Sequence, residues 1–259
     1  MKYIDFEVLD AKKQGDFCEV VLKGDFEPSL PAQFYMLKGD WGNHPLLPRP
    51  ISILDECYKK KEIKFLVKNL GEGSKKLINL RKGDFVKGTG PLGNHFPFEN
   101  LKKSDKIILI GGGVGVPPLY YLLKFLKEKG IEAIFLEGAK TKGELLLCEE
   151  IKKLTDDFFV ATEDGTFGEK GLVTKIAEQF QKTADIVFSC GPIGMLKAVS
   201  EMFEKEKAKC YISLEERMAC GYGVCLGCAV EIKGKEGKSS FQRVCAEGPV
   251  FDSRVVIWK

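Results

Sequence analysis

The sequence predicts a multi-domain chain: an antiparallel β-barrel over residues 1–100, a doubly wound α/β parallel sheet over 101–214, and a small Cys-rich segment over 215–259. Three observations carry this expectation. Short apolar runs separated by Gly/Asp turns fill the first part, as in small barrels. From Lys102 onward apolar runs alternate with helical stripes, which implies a parallel sheet with helices on its faces. The last part loses helical periodicity and holds four of the 9 cysteines.

In the barrel, Phe17–Leu22, Ile63–Val67 and a short run at Val86 read as strands. Lys23-Gly24-Asp25, Lys38-Gly39-Asp40 and Lys82-Gly83-Asp84 read as turns. In the second part, Ile107-Ile108-Leu109-Ile110 is a buried strand running into glycines. Leu119, Leu122, Leu123 and Leu126 follow at i, i+3, i+4 and i+7, one face of a helix, and Gly130 marks its stop. Strands are expected at 132–136, 158–161, 185–189 and 209–213, with helices at about 143–154, 172–181 and 194–207. The C-terminal segment is too short to build its own core, so a bound cofactor is expected to order it.

Composition narrows the function classes. An apolar fraction of 44% over 259 residues supports a sizeable core. The net charge of +3 is small and the two signs are interleaved, so no nucleic-acid footprint is present. Lys59-Lys60-Lys61 and Glu204-Lys205-Glu206-Lys207 read as solvated faces. The start, Met1-Lys2-Tyr3-Ile4-Asp5, has no apolar signal core, and no run approaches the ~18 apolar residues of a membrane span. A soluble, cytoplasmic protein is expected. An odd number of cysteines in such a compartment argues for metal binding or redox work rather than a disulfide framework.

Cys220, Cys225, Cys228 and Cys245 form the pattern C-x4-C-x2-C-x16-C. Three thiols on one Gly-rich loop and a fourth from a distance match the plant-type [2Fe–2S] ligand pattern. The glycines suit a backbone that wraps tightly and turns N–H groups toward sulfur. The alternative is a structural zinc site, although zinc ribbons usually pair two C-x2-C knuckles and only one is present. Cys18, Cys57, Cys148, Cys190 and Cys210 lie in or beside apolar segments.

Gly111-Gly112-Gly113-Val114-Gly115 sits between a strand and a helix opened by Pro117-Pro118. That is the context of a dinucleotide phosphate loop, although Val116 occupies the last glycine position of G-x-G-x-x-G. A merely tight strand–helix turn is the alternative. In the barrel, Arg49-Pro50-Ile51-Ser52 offers a phosphate clamp and a hydroxyl, and Gly71-Glu72-Gly73-Ser74 offers a second phosphate cradle. Glu137, 24 positions after Gly113, is placed to accept hydrogen bonds from a ribose or to be a solvated loop carboxylate. Lys140 and Lys142 nearby bring opposing charge. Cys190 falls at the carboxyl edge of a strand, where ligands bind in doubly wound sheets, or is a buried structural thiol. His44 and His95 lie in polar loops and are assigned no catalytic role.

Together these motifs resemble the ferredoxin-NADP reductase superfamily. Within it the chain is most similar to the electron-transfer subunits of NAD-dependent (class 1B) dihydroorotate dehydrogenase. The sharpest stretches are Ser213-Leu214-Glu215-Glu216-Arg217-Met218-Ala219-Cys220-Gly221 through Cys228, and Val244-Cys245-Ala246-Glu247-Gly248-Pro249-Val250-Phe251. The resemblance implies one FAD in the barrel, held by Arg49, Pro50, Ile51, Ser52, Leu66, Val67, Lys68, Gly73 and Ser74. It implies one [2Fe–2S] cluster on the four cysteines. It places NAD on Gly111, Gly112, Gly113 and Gly115, with Cys190-Gly191-Pro192 and Met195-Leu196 near the nicotinamide and Cys190 as the catalytic candidate. His95 departs from the family, where glycine is more usual.

The implied function passes electrons from dihydroorotate, oxidised at FMN of a partner catalytic subunit in a two-plus-two heterotetramer, through the cluster and FAD to NAD⁺ in pyrimidine biosynthesis. A reductase component of the same build, feeding electrons from NAD(P)H to a ferredoxin, an oxygenase or a bifurcating partner, is the first alternative. A zinc-stabilised binding module without catalysis is the second.

Overall fold

The computed structural model describes residues 2–234 and 238–258. Six strands close an antiparallel barrel: β1 (Lys2–Gln14), β2 (Phe17–Lys23), β3 (Phe34–Gly39), β4 (Arg49–Cys57), β5 (Glu62–Lys68) and β6 (Phe85–Leu92). Their order is β1-β2-β5-β4-β3-β6. The sequence alternates as a barrel requires. In β5, Ile63, Phe65 and Val67 point inward and are buried, while Lys64, Leu66 and Lys68 point out. Phe6, Tyr35 and Phe65 fill the interior edge-to-face, with Tyr35 in the middle and centroids 5.8 Å apart in each pair. A short helix, α1 (Glu72–Leu77), bridges β5 and β6.

The second part is a seven-stranded sheet. Its strands are β7 (Ile107–Gly112), β8 (Ala133–Ala139), β9 (Phe158–Thr162), β10 (Glu169–Lys170), β11 (Ile186–Cys190), β12 (Lys209–Ser213) and β15 (Val250–Asp252), in the order β10-β9-β8-β7-β11-β12-β15. All neighbours are parallel except β15, which pairs antiparallel with β12. The Cys-rich segment is therefore not a detached appendage, because its last strand completes the sheet. Before β15 it forms a hairpin of β13 (Ala229–Lys233) and β14 (Ser239–Arg243).

Helix α2 (Val116–Glu128) has prolines in its first turn and buries Leu119, Leu122, Leu123 and Leu126 at 0–1% exposure. Each such leucine contributes roughly 1.5–3 kcal/mol of burial. Gly130, at φ +66°, supplies the left-handed residue that ends the helix. The other helices are shorter than periodicity suggests: α3 is Cys148–Lys152, α4 is Val173–Ala177 and α5 is Ile193–Phe203. Before α3 the chain makes only a 3-10 turn at Lys142–Glu144, and Leu145 and Leu146 bury themselves as an extended segment. None of the helices among the described residues is long and apolar enough to cross a membrane.

Candidate cofactor cavity and cysteine loop

A cavity of about 580 Å³ opens where barrel, sheet and Cys-rich segment meet, a size typical of small-molecule sites. From β4, Arg49, Pro50, Ile51 and Ser52 form one wall, joined by Leu66 and Lys68 of β5. The period-two rule separates Val67 from this set, because it points into the barrel at 1% exposure. Lys68 turns its ammonium to within 3.4 Å of Glu144 and lies over the Phe17 ring.

Arg49 is held at the rim. Its Nη1 donates to the carbonyls of Leu47 (2.9 Å) and Pro48 (3.2 Å). Gly73 lies behind it, and a Cβ there would stand 2.2 Å from Arg49 Nε, so any side chain at this position would displace the guanidinium. Ser74 also lines the cavity, but its hydroxyl serves the loop. It accepts the N–H groups of Leu70 (2.9 Å) and Gly71 (3.0 Å) and donates to the Gly71 carbonyl (2.9 Å).

The opposite wall comes from Val114 in the turn before α2, from Pro117 in the first turn of α2, and from Ser213 to Met218. A cationic clamp, a hydroxyl at Ser52 and apolar surfaces from Ile51, Leu66, Val114, Leu214 and Met218 fit a phosphate-bearing planar ring system. Sequence reasoning used the 213–218 run only as a family signature. Nothing in its composition marks it as a cavity wall.

The glycine turn divides its labour. Gly111 and Gly112 end β7, and Gly113, at φ +54°, has open space in front of it. Gly115 is there for packing, since a Cβ would stand 2.1 Å from the Cys190 carbonyl. Cys190 ends β11 in register with Gly111 and Ser213. Its thiol is buried at 1% exposure beneath the surface, and that burial pushes its pKa up. The next residues, Gly191 and Pro192, do reach a second cavity of about 320 Å³, shared with Leu214, Glu215, Glu216, Phe241 and Trp258.

Glu137 corrects both sequence readings. It lies within β8 rather than in a loop, at 0% exposure, and reaches neither solvent nor a ligand cavity. Its carboxyl accepts the Leu146 N–H at 2.6 Å and faces the Cys148 thiol at 3.8 Å. Burial pushes it up to about 8 against these donors. The expected helix over 143–154 is broken here because Leu145 is extended, the Leu146 N–H is pinned to this carboxyl, and Leu147 turns left-handed at φ +57° before α3 begins. His95 stays outside both cavities, with Nδ1 2.9 Å from the Phe96 carbonyl and 3.4 Å from Glu99. His44 is exposed and pairs with Glu72 at 2.9 Å.

The four cysteines of the predicted ligand set come together as two close pairs. Cys228 Sγ lies 3.2 Å from Cys245 Sγ, and the Gly223 N–H donates to Cys245 Sγ at 3.1 Å. The Cys225 N–H donates to Cys220 Sγ at 3.5 Å. Gly221 and Gly223, at φ +81° and +87°, let the loop double back so that its N–H groups face sulfur. The Cys220 thiol comes down to about 6: desolvation opposes this, and the N–H groups of Cys225, Tyr222 and Val224 outweigh it. Burial, and then the neighbouring Cys228, push Cys245 up to about 12. Thiols met by N–H donors have the chemistry of iron–sulfur ligands, while among the described residues the thiols stand as two pairs and no three ligating side chains are gathered around one point.

Two braces that the sequence did not announce hold this loop. Arg243 clamps it from within the segment: its Nη1 donates to the Gly223 carbonyl at 2.5 Å while its Nε donates to Glu247 at 2.9 Å. Asn94, after β6, donates to the carbonyls of Glu247 and Val250 (2.9 Å each) and accepts the Val250 N–H at 2.8 Å, stapling barrel to cluster segment.

The chain is similar to known proteins over most of its length. Residues 215–257 match the family model for the iron-sulfur cluster binding domain of dihydroorotate dehydrogenase B. Residues 109–201 match the oxidoreductase NAD-binding domain. Relatives from Bacillus mycoides (strain KBAB4) and Bacillus cereus (strain B4264), each named dihydroorotate dehydrogenase B (NAD(+)), electron transfer subunit, are 41% identical over 235 residues, 90% of this chain and 90% of theirs. A chain of the NADH-dependent reduced ferredoxin-NADP oxidoreductase superposes with a TM-score of 0.85 at 27% identity, covering 98% of this chain and 90% of that one. The ferredoxin reductase of carbazole 1,9a-dioxygenase superposes at 0.69 with 19% identity, over 80% of this chain and 66% of that one, a likeness of fold.

Proposed function

The chain belongs to the family of dihydroorotate dehydrogenase B electron transfer subunits, and on that premise we propose how its residues carry electrons between a partner subunit and NAD. It is an oxidoreductase subunit that uses FAD, a [2Fe–2S] cluster and NAD. Flavin exchanges one or two electrons, the cluster one, and nicotinamide a hydride; those groups supply the redox chemistry when bound.

The observation that carries the reading is the run Ser213–Met218. It lines the 580 Å³ cavity, and Cys220 follows two residues later. Two residues of chain span at most ~7 Å, so the cysteine loop and the cavity are immediate neighbours. Arg49 holds a diphosphate at the rim, with Gly73 giving its guanidinium room. Pro50 to Ser52, Leu66 and the backbone at Val67 form the bed for the flavin, and Lys68 closes the crease toward the sheet. Gly111 to Gly113 present backbone to the nicotinamide dinucleotide, and Gly115 packs the turn onto β11. Cys190 supports the Gly191-Pro192 floor from below. Cys220, Cys225, Cys228 and Cys245 would hold the cluster, and Cys225 is exposed.

The partner is a dihydroorotate dehydrogenase catalytic subunit carrying FMN, in a two-plus-two assembly. Tyr222, Val224 and Leu226, exposed around Cys225, support docking of the partner on this loop. Nine unpaired thiols support a cytoplasmic setting. The test is to purify the chain with and without an FMN-bearing catalytic subunit. Alone it should bleach its flavin with NADH and leave dihydroorotate untouched; the complex should form orotate and NADH. Orotate formation by the isolated, FMN-free chain would overturn the division of labour. Co-purification with a ferredoxin or an oxygenase instead would favour the outward-feeding reductase.

A further inference from the structure

Strand β4 and helix α2 each carry a cofactor motif at one end and grip the other element further along. β4 begins with Arg49–Ser52 and α2 begins beside Val114 and Pro117, all in the wall of the large cavity. Beyond the cavity the two elements pack directly together. Glu56, on β4, accepts the Ser29 N–H at 3.1 and 3.3 Å through its two oxygens, and also the Ser29 hydroxyl. The Ser29 carbonyl accepts the Tyr121 hydroxyl of α2 at 3.2 Å. Next to this chain, Lys124 of α2 pairs with Asp55 of β4. Ser29 and Tyr121 are 2% and 3% exposed, so the centre of the network is shielded from water, while Glu56 and the Lys124–Asp55 pair at its margin are partly exposed.

The lever arms are short. Ser52 to Glu56 is four residues of strand, ~13 Å. Pro117 to Tyr121 is four residues of helix, ~6 Å, and Pro117 to Lys124 ~10 Å. The clamp thus sits one to two helical turns from the cavity wall, between the two motifs. The other side-chain ties described above join different places: Asn94 ties the barrel to the cluster segment, and Lys68 ties it to Glu144.

We infer that Tyr121 and Lys124, through Ser29–Glu56 and Asp55, are positioning residues that set the separation of flavin and nicotinamide. The inference rests on the FAD and NAD reading above. In the step concerned, the C–H bond of the dihydronicotinamide breaks and its hydride bonds to the flavin. NADH is oxidised by two electrons and the flavin reduced by two. Such a step needs reacting atoms ~3–3.5 Å apart, and a misplacement of ~1 Å costs ~100-fold. None of the clamp residues lines either cavity, so their removal should slow the step without weakening binding.

The test uses the chain loaded with FAD and cluster, mixed rapidly with NADH without oxygen. Tyr121→Phe removes one hydroxyl and keeps the ring; Lys124→Asp breaks the ion pair; Asp55→Lys with Lys124→Asp restores it reversed. Tyr121→Phe and Lys124→Asp should each lower the limiting rate of flavin reduction about tenfold, with the half-saturating NADH concentration changed less than about twofold. The double variant should recover most of the loss. If Lys124→Asp does not fold, Tyr121→Phe decides alone. A Tyr121→Phe protein with full flavin and cluster absorbance and the parent rate overturns the inference, as does a folded double variant no faster than Lys124→Asp. A parent protein whose flavin NADH does not reduce overturns the functional reading itself, a different result from the first two.

Discussion

Replacing Glu137 by Gln should change how stability depends on pH. The Glu137 carboxyl is fully buried, accepts the Leu146 N–H at 2.6 Å, and is pushed by burial from 4.5 to about 8. A raised folded-state pKa means the native protein holds this proton more tightly than the unfolded chain. The stabilisation is fully present below about 4.5 and is lost as pH rises through about 8. At 1.36 kcal/mol per pH unit, that window corresponds to an upper bound on the order of 5 kcal/mol. Gln keeps an oxygen for the Leu146 N–H but carries no proton to lose. Urea unfolding of parent and Glu137→Gln at pH 5.5, 7 and 8.5 isolates the effect, because other titrating groups cancel in the difference. The parent should lose about 1.4 kcal/mol per pH unit relative to the variant. Most of that loss should fall between about pH 5 and 8. A gap that does not vary with pH would refute the assignment of a neutral buried carboxyl.

Further outcomes are expected at the site. Cys225→Ala or Cys245→Ala should abolish the [2Fe–2S] EPR signal and the bound iron and sulfide; a full signal in either variant would exclude that cysteine as a ligand. Arg49→Ala should weaken FAD binding by about 1.5–3 kcal/mol, roughly ten- to hundredfold, measured by flavin release on dilution. Gly73→Ala should weaken it less, because the added Cβ displaces the guanidinium without removing its charge; FAD affinity unchanged in both variants would place the clamp elsewhere. Cys190→Ala should slow flavin reduction by NADH while FAD and cluster content stay intact, since the thiol underlies the Gly191-Pro192 turn; an unchanged rate would leave it a packing residue.

What the sequence by itself determined is local. Period-two alternation in Ile63–Val67 made a barrel strand, the leucine stripe from Leu119 to Leu126 made α2, and the C-x4-C-x2-C-x16-C spacing marked four cysteines that the fold places as two close pairs. Each depends on neighbours a few residues apart, or on chemistry that one residue type carries alone. The tertiary structure decided the rest. Val67 faces away from the cavity that Leu66 and Lys68 line, because one step along a strand reverses the side chain. Gly115 has a packing reason to be glycine that the motif did not show, because β11 passes within a Cβ's reach of it. Glu137, read as a ribose acceptor or a solvated carboxylate, is a buried anchor, because the leucines after it turn inward and cover it. Arg243, Asn94, Tyr121 and Glu56 acquire their roles from partners 4 to 156 residues away in the chain. Such contacts leave no periodic trace, since they are set by how barrel, sheet and cysteine loop dock, and docking depends on shape across all three parts at once.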